Sequence, residues 1–406
     1  MSEERLVPKL RFSGFTDEWN NVTLDDIATF SKGKGISKND ISNEGIECVR
    51  YGELYTKYNE MIYNVESKTD LKRDNLVLSD KHDILIPCSG ETAIDLATAS
   101  CVQKDQIAIG GDITIIKTDQ YAPFITYYLN QKRNDIAKFA QGVSIVHLYS
   151  KDFKALKMSI PSINEQRKIV NLLECIAHKE QLLNQKYEYY QNFKKYLMQQ
   201  IFTQKLRFNK TSEWETYELN DMGKTYNGLS GLSKDNFEKG NSKYITYKSI
   251  FDNNILKSDF TENVELNNKS QNEVKKGDLF FTGSSETPEE VGMVSVLDQN
   301  VDDCYLNSFC FGFRLNNGIN INPLFLAYYL RSPIMRNKIM ILAQGSTRFN
   351  LSKKEILKLK IKIPSITEQQ QVINLFQNVD NKINEISMQT NNFIEFKKGL
   401  LQQMFV

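Results

Sequence analysis

The sequence predicts an α+β protein with two mixed α/β domains, related by pseudo-two-fold symmetry and separated by two long antiparallel helices that form a coiled coil. Two observations support this prediction. The 406-residue chain repeats its own pattern, and the most similar part of each copy is a stretch of more than thirty residues without glycine or proline. A chain of this length also exceeds what one hydrophobic core usually organises.

The repeat is clearest in residues 161–202 and 364–405, which align without a gap at an offset of 203 (364 − 161). Each segment begins Pro-Ser-Ile-x-Glu-Gln, and Ala-Gln-Gly precedes both. Between these anchors, residues 20–135 and 215–336 differ strongly in sequence. Each copy therefore has a constant end and a variable body.

The two copies are cyclically permuted. The first constant segment continues into Lys-Leu-Arg-Phe at 205–208, whereas the matching Lys-Leu-Arg-Phe is found at 9–12, near the other end of the chain. Trp19 and Trp214, the two tryptophans of the sequence, follow these motifs. The permutation predicts that the two ends of the chain lie close together.

The constant segments are predicted to be long helices. Ser162 with Glu165, and Ser365 with Glu368, fit capping boxes at their starts. Apolar or aromatic residues then recur at every seventh position, which predicts a coiled-coil seam. The seam positions are Ile169, Ile176, Leu183, Tyr190, Leu197, Val372, Val379, Ile386, Phe393 and Leu400. The positions four residues after each of these are partly polar, for example Glu180, Lys194 and Lys397. The seam is therefore either partly polar or exposed to another protein. The alternative is two amphipathic helices buried in one globule.

These segments divide the chain into four parts. They are a first domain (1–160), a first helical spacer (161–204), a second domain (205–363) and a second helical spacer (364–406).

The variable bodies have the pattern of mixed α/β domains. Short buried strands are predicted at 83–87, 113–116 and 278–282, and helices with proline in the first turn at 123–132 and 323–331. Residues 358–363 alternate lysine with apolar residues, which predicts a strand with its lysines on one face.

The formal net charge is only +1, whereas a protein that binds DNA alone usually carries a clear basic excess. If DNA is the ligand, positive charge must be local and partner chains must supply the rest. Matching places in the two copies do carry cationic, amide and hydroxyl side chains, which contact phosphates and base edges. The candidate DNA-binding residues are Lys32, Lys34, Lys38, Gln141, Ser144, His147, Gln344, Ser346, Thr347, Arg348, Asn350 and Lys353. The alternative for these residues is a solvated surface.

Catalytic chemistry finds little support in the sequence. Three dispersed histidines and six cysteines without a Cys-x-x-Cys pair form neither a zinc motif nor a nucleophilic triad. Residues 322–325, Asn-Pro-Leu-Phe, resemble the Asn-Pro-Pro-Phe/Tyr loop of amino-methyltransferases but lack the second proline. No glycine-rich loop for S-adenosylmethionine follows a strand. We therefore expect no catalytic residue, metal or cofactor on this chain.

Targeting signals are also missing from the sequence. No stretch approaches about 18 consecutive apolar residues, and the first ten residues lack the apolar core of a signal peptide. The expected location is the cytoplasm, without membrane association.

The order of variable body, constant helix opening Pro-x-x-x-Glu-Gln, second body and second such helix resembles the specificity subunit of type I restriction–modification systems. The resemblance covers nearly the whole chain and is most specific over 140–166 and 343–369. It implies two target-recognition domains, each of which reads one half of a bipartite, asymmetric sequence in double-stranded DNA. It also implies that the helices set the unspecified gap between the half-sites.

The same resemblance implies the partners. Two modification subunits, which bind S-adenosylmethionine and methylate adenine, dock on the helices, and restriction subunits that use ATP and Mg²⁺ join them. Two other classes stay open at this stage. One is a coiled-coil scaffold that binds protein partners without reading DNA, and the other is a single-chain methyltransferase.

Overall fold

A computed structural model describes residues 6–142, 146–210, 212–266 and 270–406. The chain forms two compact units: Met1–Leu183 together with Gln389–Val406, here called the N-terminal unit, and Asn184–Met388, here called the C-terminal unit. The predicted four-part division sets the long helices apart from the domains. In the compact units, each domain instead includes part of both long helices.

The N-terminal unit contains short strands, short helices, the first half of one long helix and the end of the other. Its strands are β1 (Asn20–Thr23), β2 (Ala28–Lys32), β3 (Ile41–Ser42), β4 (Ile46–Val49), β5 (Met61–Ile62), β6 (Ser67–Thr69), β7 (Ile84–Pro87), β8 (Ser89–Gly90), β9 (Ser100–Val102), β10 (Ala108–Ile109), β11 (Ile113–Thr118), β12 (Val146–His147) and β13 (Lys157–Ile160). Its helices are α1 (Leu24–Ile27), α2 (Tyr51–Thr56), α3 (Ala93–Leu96), α4 (Ala122–Gln131), α5 (Arg133–Ala137), α6 (Ser150–Phe153) and the long helix α7 (Ile163–Phe202), with 3-10 turns at Lys38–Asp40 and Arg73–Asn75.

The C-terminal unit repeats this inventory and begins with the second half of α7. Its strands are β14 (Glu215–Glu218), β15 (Gly223–Asn227), β16 (Phe237–Ile245), β17 (Ile255–Leu256), β18 (Thr261–Val264), β19 (Leu279–Thr282), β20 (Ser284–Ser285), β21 (Val294–Leu297), β22 (Cys304–Leu306), β23 (Cys310–Leu315), β24 (Ala343–Gln344), β25 (Phe349–Leu351) and β26 (Lys360–Ile363). Its helices are α8 (Leu219–Met222), α9 (Tyr247–Asp252), α10 (Pro323–Arg331), α11 (Pro333–Ile341), α12 (Lys353–Leu357) and the long helix α13 (Ile366–Met404), with 3-10 turns at Lys234–Asn236 and Ser258–Phe260.

The central sheets of the two units have the same topology. The strand order is β2-β11-β7-β9-β5 in one and β15-β23-β19-β21-β17 in the other. In both sheets the last pair is parallel and the other pairs are antiparallel. Each unit also pairs its first strand with its last, β1 with β13 and β14 with β26. The predicted α+β fold with two mixed domains is therefore confirmed.

The predicted elements of the bodies also form. The strands predicted at 83–87 and 278–282 are β7 and β19, whose residues are buried throughout. The helix predicted at 323–331 begins at Pro323 and ends at Arg331, as expected. The predicted strand at 358–363 begins two residues late, because Lys358 caps the end of α12, but Lys360 and Lys362 do share its exposed face.

The long helices are part of the hydrophobic cores. In the N-terminal unit, Ile169 and Leu173 of α7 pack in one buried cluster with Phe124, Leu401 and Met404. Farther along the same two helices, Glu180 pairs with Lys397. Because later residues of α13 lie beside earlier residues of α7, the two segments run antiparallel.

The C-terminal unit uses the other halves of the helices in the same way. Leu197 and Phe202 of α7 share a buried cluster with Val372, Phe376 and Val379 of α13. The rings of Phe202 and Phe376 stack at 5.7 Å. Of the ten predicted seam positions, Tyr190, Phe393 and Leu400 are half-buried and the others are buried.

Matching hydrogen bonds support the predicted permutation. Leu206 follows α7 directly, and its N–H donates to Gln200 O (3.1 Å). Leu10, from the other end of the chain, donates in the same way to Gln403 O (2.9 Å) at the end of α13. The two ends of the chain therefore meet inside the N-terminal unit, as predicted.

Candidate nucleic-acid interface

Several candidate residues of the N-terminal unit meet at one end of its central sheet. Gln141 and His147 exchange backbone hydrogen bonds of 2.9 and 2.7 Å. Because β12 pairs with β8, the His147 ring reaches Ser89, with an Nδ1–Oγ distance of 3.1 Å. Lys32 ends β2, and its Nζ lies 5.9 Å from the ring centroid of Tyr149. We call Lys32, Ser89, Gln141, His147 and Tyr149 the first reading cluster.

Tyr149 organises the positive charge of this cluster. Its ring is 39% exposed, stacks on His147 (6.2 Å, 17°), and lies 5.9 and 5.7 Å from the ammonium groups of Lys32 and Lys151. A ring face attracts cations, so one aromatic side chain holds two lysines beside the histidine. The sequence analysis did not select Tyr149, although aromatic and basic residues alternate between 147 and 151.

The turn after Lys32 packs tightly on the backbone of the neighbouring loop. A Cβ on Gly33 would stand 2.0 Å from Gly110 O, and Lys34 N donates to Ile109 O (2.9 Å). Lys34 and Lys38 are exposed. Within the described part of the chain, no hydrogen bond, ion pair or ring contact joins these two lysines to the first reading cluster.

In the C-terminal unit, the corresponding residues lie on a small ribbon of three strands. β25 pairs with β20 and β24, which places Asn350 opposite both Ser284 and Gln344. Arg348 Nε donates to Ser284 Oγ (3.0 Å). Gln344, Arg348 and Asn350 are exposed, so an amide, a guanidinium and a second amide face solvent together.

Lys353, in the first turn of α12, lies beside this ribbon. Its Nζ donates to Asn227 Oδ1 and lies 5.6 Å from the Phe311 ring centroid. Burial lowers the pKa of Lys353 below the usual value for lysine. These groups line an open cleft of about 400 Å³ together with Asn350 and Ser284. We call Asn227, Ser284, Gln344, Arg348, Asn350 and Lys353 the second reading cluster.

The Gln-Gly pairs of the constant segments form tight turns beside both clusters. Gly142 and Gly345 have φ of 123° and 140°, in the region that favours glycine. A Cβ on Gly345 would stand 2.0 Å from Arg348 O. Ser346 and Thr347 are exposed in the second turn. Ser144 lies outside the described residues.

The Glu-Gln pair at the start of each long helix anchors that helix to its unit. In the C-terminal unit, the buried Glu368 carboxylate accepts hydrogen bonds from Arg207 (2.8 and 3.3 Å) and from Trp214 Nε1 (3.2 Å). The hydrogen bond to Glu368 raises the pKa of the Arg207 guanidinium. The predicted capping box is wrong in its second half, because the carboxylate is turned away from the backbone of Ser365.

The N-terminal unit repeats this ion pair with fewer contacts. Glu165 accepts from Arg11 Nε and Nη2 at 2.7 and 2.8 Å. Trp19 Nε1 is buried here without a hydrogen-bond partner. Motif residues 9–12 and 205–208 therefore have the same structural role: each motif supplies the arginine that binds the glutamate at the start of a long helix.

The glutamine next to each anchoring carboxylate joins two helix starts. Gln166 Oε1 accepts from Tyr121 N (3.0 Å), the N-cap of α4, while Gln166 Nε2 donates to Pro161 O (2.9 Å). Gln369 binds the N-cap of α10, Asn322, and Pro364 in the same way, at 2.8 and 3.0 Å. Asn322 also caps α10 with its own side chain, so residues 322–325 form a helix start.

The long helices carry ion pairs and exposed large apolar side chains. Lys397 binds Glu180 (3.1 Å) in one unit, and Lys194 binds Asp380 (2.5 Å) in the other. The large apolar side chains that the helices expose by half or more are Tyr189, Tyr196, Met388 and Phe396.

The remaining candidate chemistry is sparse. The six cysteines are free thiols, and burial raises the pKa of Cys48 to about 11. Among the described residues, no group of three or more His, Cys, Asp or Glu side chains is placed to hold a metal ion. None of the helices in the described part of the chain is both long enough and apolar enough to cross a membrane.

Comparison with known proteins identifies the class. The family model for the type I restriction modification DNA specificity domain matches residues 16–201 and, a second time, residues 211–395. The chain thus belongs to a family of two-domain DNA-specificity proteins. That family is the specificity subunits of type I restriction–modification systems, and each repeat of the chain is one target-recognition domain.

Relatives and solved structures agree with this assignment. The specificity subunit of type I restriction enzyme MjaVIII from Methanocaldococcus jannaschii is 22% identical, over 96% of this chain and 92% of its own length. The EcoKI specificity subunit from Escherichia coli K12 is 20% identical, over 82% and 75%. The crystal structure of the type I S subunit from M. genitalium gives a TM-score of 0.60 at 16% identity, over 98% and 99% of the two chains. A chain from structural work on assembly and conformational transition of the type I system also gives 0.60, at 15% identity over 95% and 97%.

Proposed function

We propose that this chain selects the target of a type I complex by reading a bipartite, asymmetric sequence in double-stranded DNA, with one half-site for each unit. One observation carries the proposal. Equivalent loops of two units with the same topology expose different sets of cationic and amide side chains. A duplicated scaffold with different polar side chains at the same place is suited to reading two unlike sequences.

The chemistry of the clusters fits base and phosphate contacts. Gln344 and Asn350 present side-chain amides, which pair with the adenine edge in the major groove, while Arg348 matches guanine or a phosphate. Each correct base pair contributes on the order of 1–3 kcal/mol of discrimination. Two units on one chain add these contributions, which a single unit would not supply.

The long helices are proposed to dock two modification subunits, which carry S-adenosylmethionine, and through them the restriction subunits, which use ATP and Mg²⁺. Tyr189, Tyr196 and Phe396 are 64%, 58% and 54% exposed, and exposed aromatic side chains of this size are typical of protein interfaces. The net charge of +1 supports partners that supply further cations around the duplex. The chain itself is proposed to carry out no covalent chemistry and to act in the cytoplasm.

The test is to sequence methylated adenines in cells that contain this chain and its modification subunit. We expect one bipartite motif with two different half-sites, absent when the chain is deleted. A methylation pattern that does not depend on the chain would contradict the proposal. A scaffold without DNA readout would also leave the assembled complex unable to shift a specific duplex in a salt-dependent way.

The helices are also proposed to fix the number of unspecified base pairs between the half-sites. Insertion of seven residues at 183–184 and at 388–389 keeps the seven-residue seam and lengthens each helix by about 10 Å. Methylome sequencing should then give a longer gap with unchanged half-sites. A change in the half-site sequences would show that the helices do more than set a distance.

A further inference from the structure

Phe309 is an exposed aromatic residue beside the second reading cluster of the C-terminal unit. Its side chain is 53% exposed, although a phenylalanine in a folded domain usually contributes to the core. It lies in the loop between β22 and β23, where it lines two clefts of about 350 and 400 Å³. The ring therefore stands on a ridge between two open grooves.

The loop that carries Phe309 is held in one conformation. Phe309 N–H donates to Asn307 Oδ1 (2.9 Å), and Phe309 O accepts from Gly283 N (2.8 Å). Cys310 N then donates to Asn307 O (3.0 Å). A ring presented on such a braced turn loses little conformational entropy when it binds a ligand.

Cations flank the ridge on both sides. The guanidinium of Arg348 lies 5.1 Å from the Phe309 ring centroid and is held by Ser284. Lys353 lines the cleft on the same side, and Lys234 lines the cleft on the other side. An apolar ring between positive charges is the arrangement by which proteins insert a wedge between stacked bases while neutralising the adjacent phosphates.

The N-terminal unit has a different residue at this place. The β10–β11 loop corresponds to the β22–β23 loop, and Asp112 O accepts from Cys88 N (2.7 Å) as Phe309 O accepts from Gly283 N. An aspartate thus occupies the position of the exposed phenylalanine. A carboxylate is repelled by the DNA backbone and does not stack on bases, so the two units differ in this ability.

We propose that Phe309 is a stacking wedge, which enters one base step of the half-site bound by the C-terminal unit while Arg348 contacts the neighbouring phosphate. The inference rests on the proposed function, and it assigns a DNA distortion to one half-site only. The ligand is a single step of stacked nucleobases in duplex DNA.

The test uses the assembled complex and duplexes that contain the methylated target, with 2-aminopurine placed in turn at each half-site position. Unstacking raises the fluorescence of this base analogue. The adenines that the modification subunits methylate are left unsubstituted, because a methyltransferase flips its target base out of the duplex. At the remaining positions we expect a several-fold increase at one step of the C-terminal half-site and none in the other half-site. Phe309→Ala should abolish the increase and weaken binding about tenfold, the order that base–aromatic stacking contributes. Phe309→Trp should retain the signal.

Tyr217→Ala is the matched control, because Tyr217 is also exposed (40%) in the same unit but lies on β14, at the strand pair with β26. It should leave the fluorescence unchanged. Thermal unfolding of Phe309→Ala, which should match that of the unsubstituted chain, separates loss of the ring from loss of folding. Specific binding without a fluorescence increase at any step would overturn the wedge and leave the proposed function intact. Failure of the complex to bind any specific duplex would overturn both.

Discussion

Each unit places a lysine at the end of its central sheet, but the two lysines belong to different elements. In the N-terminal unit, Lys32 ends the first strand of the central sheet and faces Tyr149 from the loop opposite. In the C-terminal unit, Asn227 ends that strand and Lys353 comes from the opposite side. Both units therefore have a lysine at this end of the central sheet, but a strand supplies it in one unit and a helix in the other. Sequence alignment alone therefore cannot reveal equivalent cations in these bodies.

The anchors of the long helices show the opposite behaviour. Arg11 with Glu165 and Arg207 with Glu368 are the same ion pair built from the same motif. The ion pairs between the two long helices also share their cation. Lys194, which binds Asp380, and Lys397, which binds Glu180, are equivalent at the offset of 203 (397 − 194). The anchor residues are the same in the two units because each buried carboxylate needs its arginine, whereas the residues of the two reading clusters differ.

The largest expected effect concerns the anchors. Glu368→Ala leaves the Trp214 N–H buried without a partner and removes the counter-charge of the Arg207 guanidinium, which keeps only its hydrogen bond to Ser212 O. It should lower the free energy of unfolding of the C-terminal unit by about 3–5 kcal/mol. Glu165→Ala should cost the N-terminal unit about 1 kcal/mol less, because Trp19 has no bond to lose. Hydrogen exchange resolved by region measures both changes.

Glu395→Ala on the exposed surface of α13 is the control for the anchors and should leave exchange unchanged. Equal losses in the two units would contradict the difference that we assign to tryptophan.

A smaller effect is expected from the reading cations. Arg348→Ala should weaken binding of the assembled complex by about 1–3 kcal/mol and relax specificity in one half-site only. Lys32→Ala should act on the other half-site. Binding titrations over a range of salt concentrations distinguish the contacts, since loss of one phosphate contact lowers the slope by about 1. If either variant alters both half-sites, the division of labour between the units is wrong.

The ring that holds the lysines of the first cluster should matter less. Tyr149→Ala removes the surface on which Lys32 and Lys151 rest, worth about 0.5–1 kcal/mol at an exposed site. Affinity for the specific duplex should therefore fall a few-fold. Tyr149→Phe keeps the ring and should bind normally, whereas equal losses in the two variants would point to the hydroxyl group instead.

The smallest effect is a pH dependence confined to the second cluster. Burial lowers the pKa of Lys353, so as pH rises its charge is lost earlier than that of an ordinary lysine. A nearby phosphate favours the charged form, so duplex binding should take up protons and weaken on the alkaline side. Lys353→Arg should remove this pH dependence in binding titrations, and an unchanged profile would exclude Lys353 as its source.

Much of the scaffold could be predicted from the sequence because it is periodic or repeated. The seven-residue step predicted the long helices. The motif Lys-Leu-Arg-Phe at 9–12 predicted that the two ends of the chain meet, and the hydrogen bond from Leu10 N to Gln403 O joins them. The predicted capping box did not form at Glu368, because the carboxylate binds Arg207 instead. Arg207 is distant in sequence, so the local pattern could not indicate this competition. Whether the selected reading residues contact DNA remains a prediction.

The sequence by itself determined the duplication, the helices and the variable bodies, since these follow from local periodicity and from comparison of the chain with itself. Only the tertiary structure decided which side chains meet: Lys32 with Tyr149, Arg348 with Phe309, and Lys353 with Asn227. The physical reason is that these contacts join residues far apart in sequence, through strand pairings and loop conformations that no local pattern encodes.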